Sequence, residues 1–183
     1  MSDKRDDGHR ILRMQHKHGV LTYVYLLSSI SLLLMSCAKS FQPVAPSYMF
    51  WSKPGKSELD VKKAMLECGK PSPDPTIEMY RLAYGLYDDE RLNYYITTNK
   101  CMELSGYTSK HVSSYESCMR YPERRYLSSC QPGAKIPKPS IERRLNSWYC
   151  KLKTDYQYCL KHAVNPPACN PEGYKNPPPE CLP

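Results

Sequence analysis

The chain has 183 residues, nine cysteines, and 26 basic against 18 acidic side chains, a formal net charge of +8. That length suits one domain with extensions better than two. The basic excess is mild and comes with no phosphate loop or nucleic-acid motif, which argues against nucleotide or nucleic-acid binding. The odd cysteine count calls for an explanation.

The first segment differs in composition from everything after it. Lys4, Arg5, Arg10, Arg13 and Lys17 precede an apolar run from Val20 to Met35, the order of a secretory signal. The run contains Ser28, Ser29 and Ser31 and falls short of the roughly 20 residues a membrane-spanning helix needs. Asp3, Asp6 and Asp7 are out of character for a signal, and a start at Met14 would give a more compact one. The run ends in Leu34-Met35-Ser36-Cys37, which resembles the lipobox of bacterial lipoproteins. That resemblance implies cleavage before Cys37 and transfer of a diacylglyceryl group to its thiolate, the nucleophilic form of cysteine. By the same resemblance, Ala38 in the second mature position, in place of aspartate, points to the outer membrane.

The chain then divides into a signal peptide (1–36), a tether (37–47) and a single disulfide-rich domain (48–183). The signal takes five basic and three acidic residues with it, leaving 147 residues with 21 basic and 15 acidic side chains. With Cys37 acylated, eight cysteines remain: Cys68, Cys101, Cys118, Cys130, Cys150, Cys159, Cys169 and Cys181. Export exposes them to oxidising conditions, so four disulfides are expected. Zinc is disfavoured because no two cysteines lie closer than nine positions and only His111 and His162 follow Cys37. No metal or cofactor is expected.

Tyr48, Phe50 and Trp51 lie just before the Pro54-Gly55 turn and read as packing for a first helix. Ser57 caps that helix, with Asp60 three residues on, and Gly69 ends it. Its inward face carries Val61, Met65 and Cys68, while Lys56, Lys62 and Lys63 face outward. Lys70 to Pro75 is a proline-punctuated loop. From Ile77 to Gly106 the pattern is helical, with a break near Gly85 or Asp88-Asp89. Tyr80, Tyr84 and Tyr87 follow each other at spacings of four and three, and Leu92, Tyr95, Ile96, Asn99 and Met102 extend the stripe. Half-buried packing is the expected role of such tyrosines, ahead of a sugar-stacking face.

Phe50-Trp51-Ser52-Lys53-Pro54-Gly55, Glu67-Cys68-Gly69, Lys100-Cys101-Met102 and Gly106-Tyr107 together resemble a pattern in small Gram-negative lipoproteins. The likeness covers residues 48–107 and reaches weakly to Arg144-Leu145-Asn146 and Tyr149-Cys150-Lys151. It implies export, lipidation and a Cys68–Cys101 bridge, and it carries no activity.

Residues 108–139 are poor in aliphatic side chains, so Cys118 and Cys130 are expected to staple a loop without a core of its own. Arg120, Arg124 and Arg125 make that loop the best anion-binding candidate. Ser140 resembles a cap for one helix from Ile141 to Lys161, with Leu145, Trp148 or Tyr149, Leu152, Tyr156 and Cys159 on one side. Along a continuous helix Cys150 and Cys159 would lie about 13.5 Å apart, beyond the roughly 7 Å a disulfide tolerates. Both are therefore expected to bridge to Cys169 and Cys181, in either order. Those two would pin the proline-rich tail (163–183), where seven prolines after Val164 exclude regular structure.

The expected fold is mainly α: a small disulfide-stapled helical domain with an irregular proline-rich C-terminal tail. No nucleophile–base set is supported, and Asp88, Asp89 and Glu90 read as a solvated helix surface. The sequence thus points to a non-enzymatic, lipid-anchored envelope lipoprotein holding a protein or glycan partner. The alternative is a displayed ligand-binding or enzyme-inhibitor module, for which a rigid stapled scaffold limits the entropy lost on binding.

Overall fold

The computed structural model describes residues 45–110 and 114–183. The segment expected to be a signal, Cys37, most of the expected tether and His111 lie outside them. Among the described residues the chain forms seven α-helices, two very short strands and several 3-10 turns, so the protein is mainly helical. No helix among these residues is long and apolar enough to cross a membrane.

A 3-10 turn at Ser47–Phe50 leads into strand β1 (Trp51–Ser52) and then helix α1 (Glu58–Glu67). The Ser57 side chain accepts from the Asp60 backbone N–H while the Asp60 carboxylate accepts from that of Ser57, so a reciprocal capping box starts the helix. At the other end Gly69 takes φ +93°, and the Lys70 N–H closes back on the Met65 carbonyl at 2.9 Å. That left-handed closure ends the helix and needs glycine.

Helix α1 is buried on two sides. Val61, Ala64 and Met65 pack with Trp51, Cys68, Cys101, Met102 and Tyr107, while Leu66 points into a second cluster with Cys150 and Cys181. Tyr48 packs on the rim of the first cluster, so the N-terminal aromatics act as packing.

Helix α2 (Ile77–Tyr84) stops at Gly85, φ +68°, and α3 (Asp88–Leu104) follows after two residues, placing the break where the sequence indicated. The tyrosine stripe is internal for most of its length. Tyr80 is fully buried, with ring centroids 5.9 Å from Tyr94 and 6.1 Å from Tyr95, and Tyr84 lies 4.8 Å from Tyr94; only Tyr87 is well exposed. Beyond α3, strand β2 (Thr108–Ser109) pairs antiparallel with β1, Trp51 opposite Ser109 and Ser52 opposite Thr108.

Helix α4 (Ser114–Met119) and two 3-10 turns, Pro122–Arg124 and Ser128–Cys130, form the next segment. Expected as a loop without a core of its own, it carries a short helix and packs on α3, where Leu127 and Cys118 are buried with Ile96 in a third apolar cluster. One well-placed leucine beside a disulfide gives this segment a seat on α3.

The single helix expected over Ile141–Lys161 is three: α5 (Ile141–Leu145), α6 (Trp148–Thr154) and α7 (Tyr156–His162). The polar residues between them account for the breaks. The Ser147 hydroxyl accepts from the Cys150 N–H at 3.2 Å, and the Asp155 carboxylate accepts from the Tyr158 N–H at 2.9 Å. Each side chain caps a new helix in competition with continuing the old one. The tail then runs through 3-10 turns at Pro166–Ala168, Pro171–Lys175 and Pro179–Cys181, with proline in the first turn of each, where its missing N–H costs nothing.

Four disulfides join Cys68 to Cys101, Cys118 to Cys130, Cys150 to Cys181 and Cys159 to Cys169, with Cα separations of 5.2–6.0 Å. Cys150 and Cys159 do both bridge into the tail. The continuous helix that excluded their mutual pairing is absent, however, so the distance argument gave the right exclusion from a wrong premise.

Candidate functional site

The disulfides use all eight cysteines downstream of Cys37. Cys118–Cys130 closes the segment carrying Arg120, Arg124 and Arg125. Arg120 and Arg125 are exposed, whereas the Arg124 guanidinium lies over the Tyr121 ring, 4.0 Å from its centroid. The Tyr126 hydroxyl donates to Asp89 in the acidic first turn of α3 at 2.6 Å. This ties the basic loop to a carboxylate-rich helix start, which offsets part of its attraction for anions.

Beside that loop, the chain from Ser128 to Ile136 crosses α3 and leaves shallow grooves on both sides. One, of about 360 Å³, is walled by Thr97, Ser129, Gln131 and Lys135. The other, of about 370 Å³, is walled by Lys100, Glu103, Leu104, Ala134 and Ile136. The Lys100 ammonium donates to the Ser129 carbonyl at 2.6 Å and clamps the crossing chain to the helix. Leu104, 77% exposed, is the most open large apolar side chain among the described residues. One groove presents hydroxyl, amide and ammonium groups, and the other presents aliphatic side chains beside Lys100 and Glu103.

Among the described residues two cationic side chains are fully buried. Arg144 on α5 pairs with Glu67 at 3.0 Å and donates to the Glu180 carbonyl at 2.7 Å and to the Leu182 carbonyl, so one guanidinium fork joins α1, α5 and the C-terminus. Lys70, in the loop after α1, is 2% exposed. Its Nζ donates to the Asn99 carboxamide oxygen and lies 5.4 Å from the ring centroids of both Trp51 and Tyr95. Burial lowers its pKa from 10.5 to about 7, against the opposing pull of the Glu103 carboxylate.

Neither cation was singled out from the sequence. Lys70 stands in a proline-rich loop and Arg144 in a charged run, so local pattern marks both as surface residues. Partners distant in sequence surround them: Trp51, Tyr95 and Asn99 around Lys70, and Glu67 and Glu180 around Arg144. His162 stacks on Tyr158, with ring centroids 4.2 Å apart, at the end of α7. Among the described residues no cluster of three or more histidine, cysteine or acidic side chains has metal-binding geometry.

The chain matches no protein family model, no curated protein and no solved structure.

Proposed function

We propose that this chain is an exported lipoprotein, anchored to the bacterial outer membrane by lipid on Cys37, whose domain is a non-enzymatic interaction module for an envelope protein or glycan. The observation that carries this reading is the closed set of disulfides. Eight of nine cysteines pair with one another, which leaves Cys37, at the edge of the apolar signal, as the one over. Persistent disulfides belong to oxidising compartments, and a cysteine directly after a signal-like run is the residue that lipidation requires.

The grooves flanking the Ser128–Ile136 crossing and the adjacent arginine loop are the proposed contact face. The test of the anchor is Cys37→Ser. Acyl chains contribute about 0.8 kcal/mol per buried CH2, so the wild type should enter the detergent phase and carry acyl mass, and the variant should stay aqueous. Full partitioning of the variant, or an unmodified wild-type Cys37, would sink the proposal. For the partner, the delipidated domain should capture a saturable component from envelope extract, and Leu104→Asp should weaken capture at least tenfold. Equal capture by that variant would exclude the groove.

A further inference from the structure

We propose that Lys70 and Asn99 form a self-modification site, in which the Lys70 Nζ condenses with the Asn99 side-chain carboxamide to give an intramolecular isopeptide bond and one ammonia, assisted by the Glu103 carboxylate. This goes beyond the proposed function and is independent of it.

The reacting groups are already in hydrogen-bond contact, Nζ to Oδ1, and both residues are buried, at 2% and 3% exposure. Holding an amine against an amide in this way replaces a bimolecular encounter with an intramolecular one, worth many orders of magnitude in rate when the geometry is held. The holding is explicit. Lys70 lies two residues after Cys68 and Asn99 two before Cys101, and the disulfide between those cysteines fixes their Cα atoms 5.6 Å apart. The rings of Trp51 and Tyr95 wall the amine, and a dry site keeps water from competing for the amide.

Condensation needs the neutral amine. Burial brings the ammonium's pKa to about 7, so near neutral pH much of the population carries a nucleophilic lone pair. It also needs a proton carrier. Glu103 lies four residues beyond Asn99 on α3 and therefore on the same helix face. Its carboxylate is steadied by the Ser114 N–H at 2.7 Å and by the Ser114 hydroxyl.

The Nζ lone pair adds to the Asn99 Cγ, and Glu103 takes a proton from Nζ and delivers it to Nδ2. The Cγ–Nδ2 bond breaks, ammonia leaves, and an Nζ–Cγ amide remains. Nothing is oxidised or reduced. The bridge would close nearly the same loop as Cys68–Cys101, but reducing agents would not open it.

Tryptic mapping of the full-length protein after complete reduction and alkylation tests this. The expected product is one branched peptide joining residues 64–81 to residues 92–100, lighter by one ammonia than the sum of the two. Recovery of the two peptides separately at their sequence masses overturns the proposal. Lys70→Met and Asn99→Ala should each abolish the branched species, and an ammonia loss surviving in either would place the chemistry elsewhere and also overturn it. The wild-type map is decisive even if those variants fold poorly. Glu103→Gln should keep all four disulfides yet lose at least nine-tenths of the branched peptide; an undiminished yield would overturn the role given to Glu103.

Discussion

Arg144 and Gly69 each occupy a place that no other residue type fills. Removing the Arg144 side chain leaves the Glu67 carboxylate and two C-terminal carbonyls without their donor. Breaking a buried pair from one side costs about 3–5 kcal/mol, so Arg144→Ala should lower the stability by that amount in denaturant unfolding with disulfides intact. Arg144→Lys should recover only part, because an ammonium cannot reproduce the fork. At Gly69 a Cβ would lie 2.9 Å from the Tyr94 hydroxyl oxygen, and the φ of +93° disfavours any L side chain. Gly69→Ala should therefore cost about 1–3 kcal/mol, read the same way. The glycine was legible as a helix stop, but its contact with Tyr94 was not, since nothing local says which ring will lie above it.

Helices α2 and α3 were legible down to the break between them, because that stretch combines a 3.6-residue period with a glycine stop and an acidic restart. The stretch after Ser140 was read as one helix, since its apolar spacing stays in phase across Ser147 and Asp155. Capping by those two side chains overrides a phase that the apolar residues alone would continue. The tyrosines make the helical elements sensitive to alkali. Burial raises the pKa of Tyr80, of Tyr84 and of Tyr149 above the ordinary value of 10, and the hydrogen bond that the Tyr149 hydroxyl donates to the Glu180 carboxylate adds to it. Above pH 10 the tyrosines of the unfolded chain lose protons that those of the folded chain keep, so their contribution to stability should be level below pH 10 and fall steadily beyond it. Tyrosinate absorbance should accordingly rise in two phases, the later one coinciding with loss of helical circular dichroism. One smooth phase with helicity retained would count against their burial.

At the scale of the molecule, the disulfide number followed from parity, but the pairing needed the fold. Cys159–Cys169 closes only ten positions at the end of the chain. Replacing both cysteines with serine should cost about 2–3 kcal/mol and loosen the Pro166–Ala168 turn while the Cys150–Cys181 bridge still forms, as hydrogen exchange and a non-reducing peptide map would show. The contact face was less legible. Leu104 lies off the stripe of α3, and nothing local marks it as the wall of a groove, which the path of Ser128–Ile136 creates.

The disulfides also divide the chain into covalent blocks. One runs from Cys68 to Cys101, one from Cys118 to Cys130, and one from Cys150 to Cys181 with the Cys159–Cys169 link nested inside it. No disulfide joins one block to another, so residues 131–149 connect the last two by backbone alone. Lys135 in that stretch is exposed, and the bond following it is open to trypsin. A single cut there would leave a nicked protein whose halves are held by the Arg144 fork and the packing of Leu66 against Cys150 and Cys181. Such a protein should migrate whole on a native gel and fall into two pieces in denaturant without any reductant. A cut inside any of the three blocks would leave the chain in one piece as long as its disulfides stayed intact.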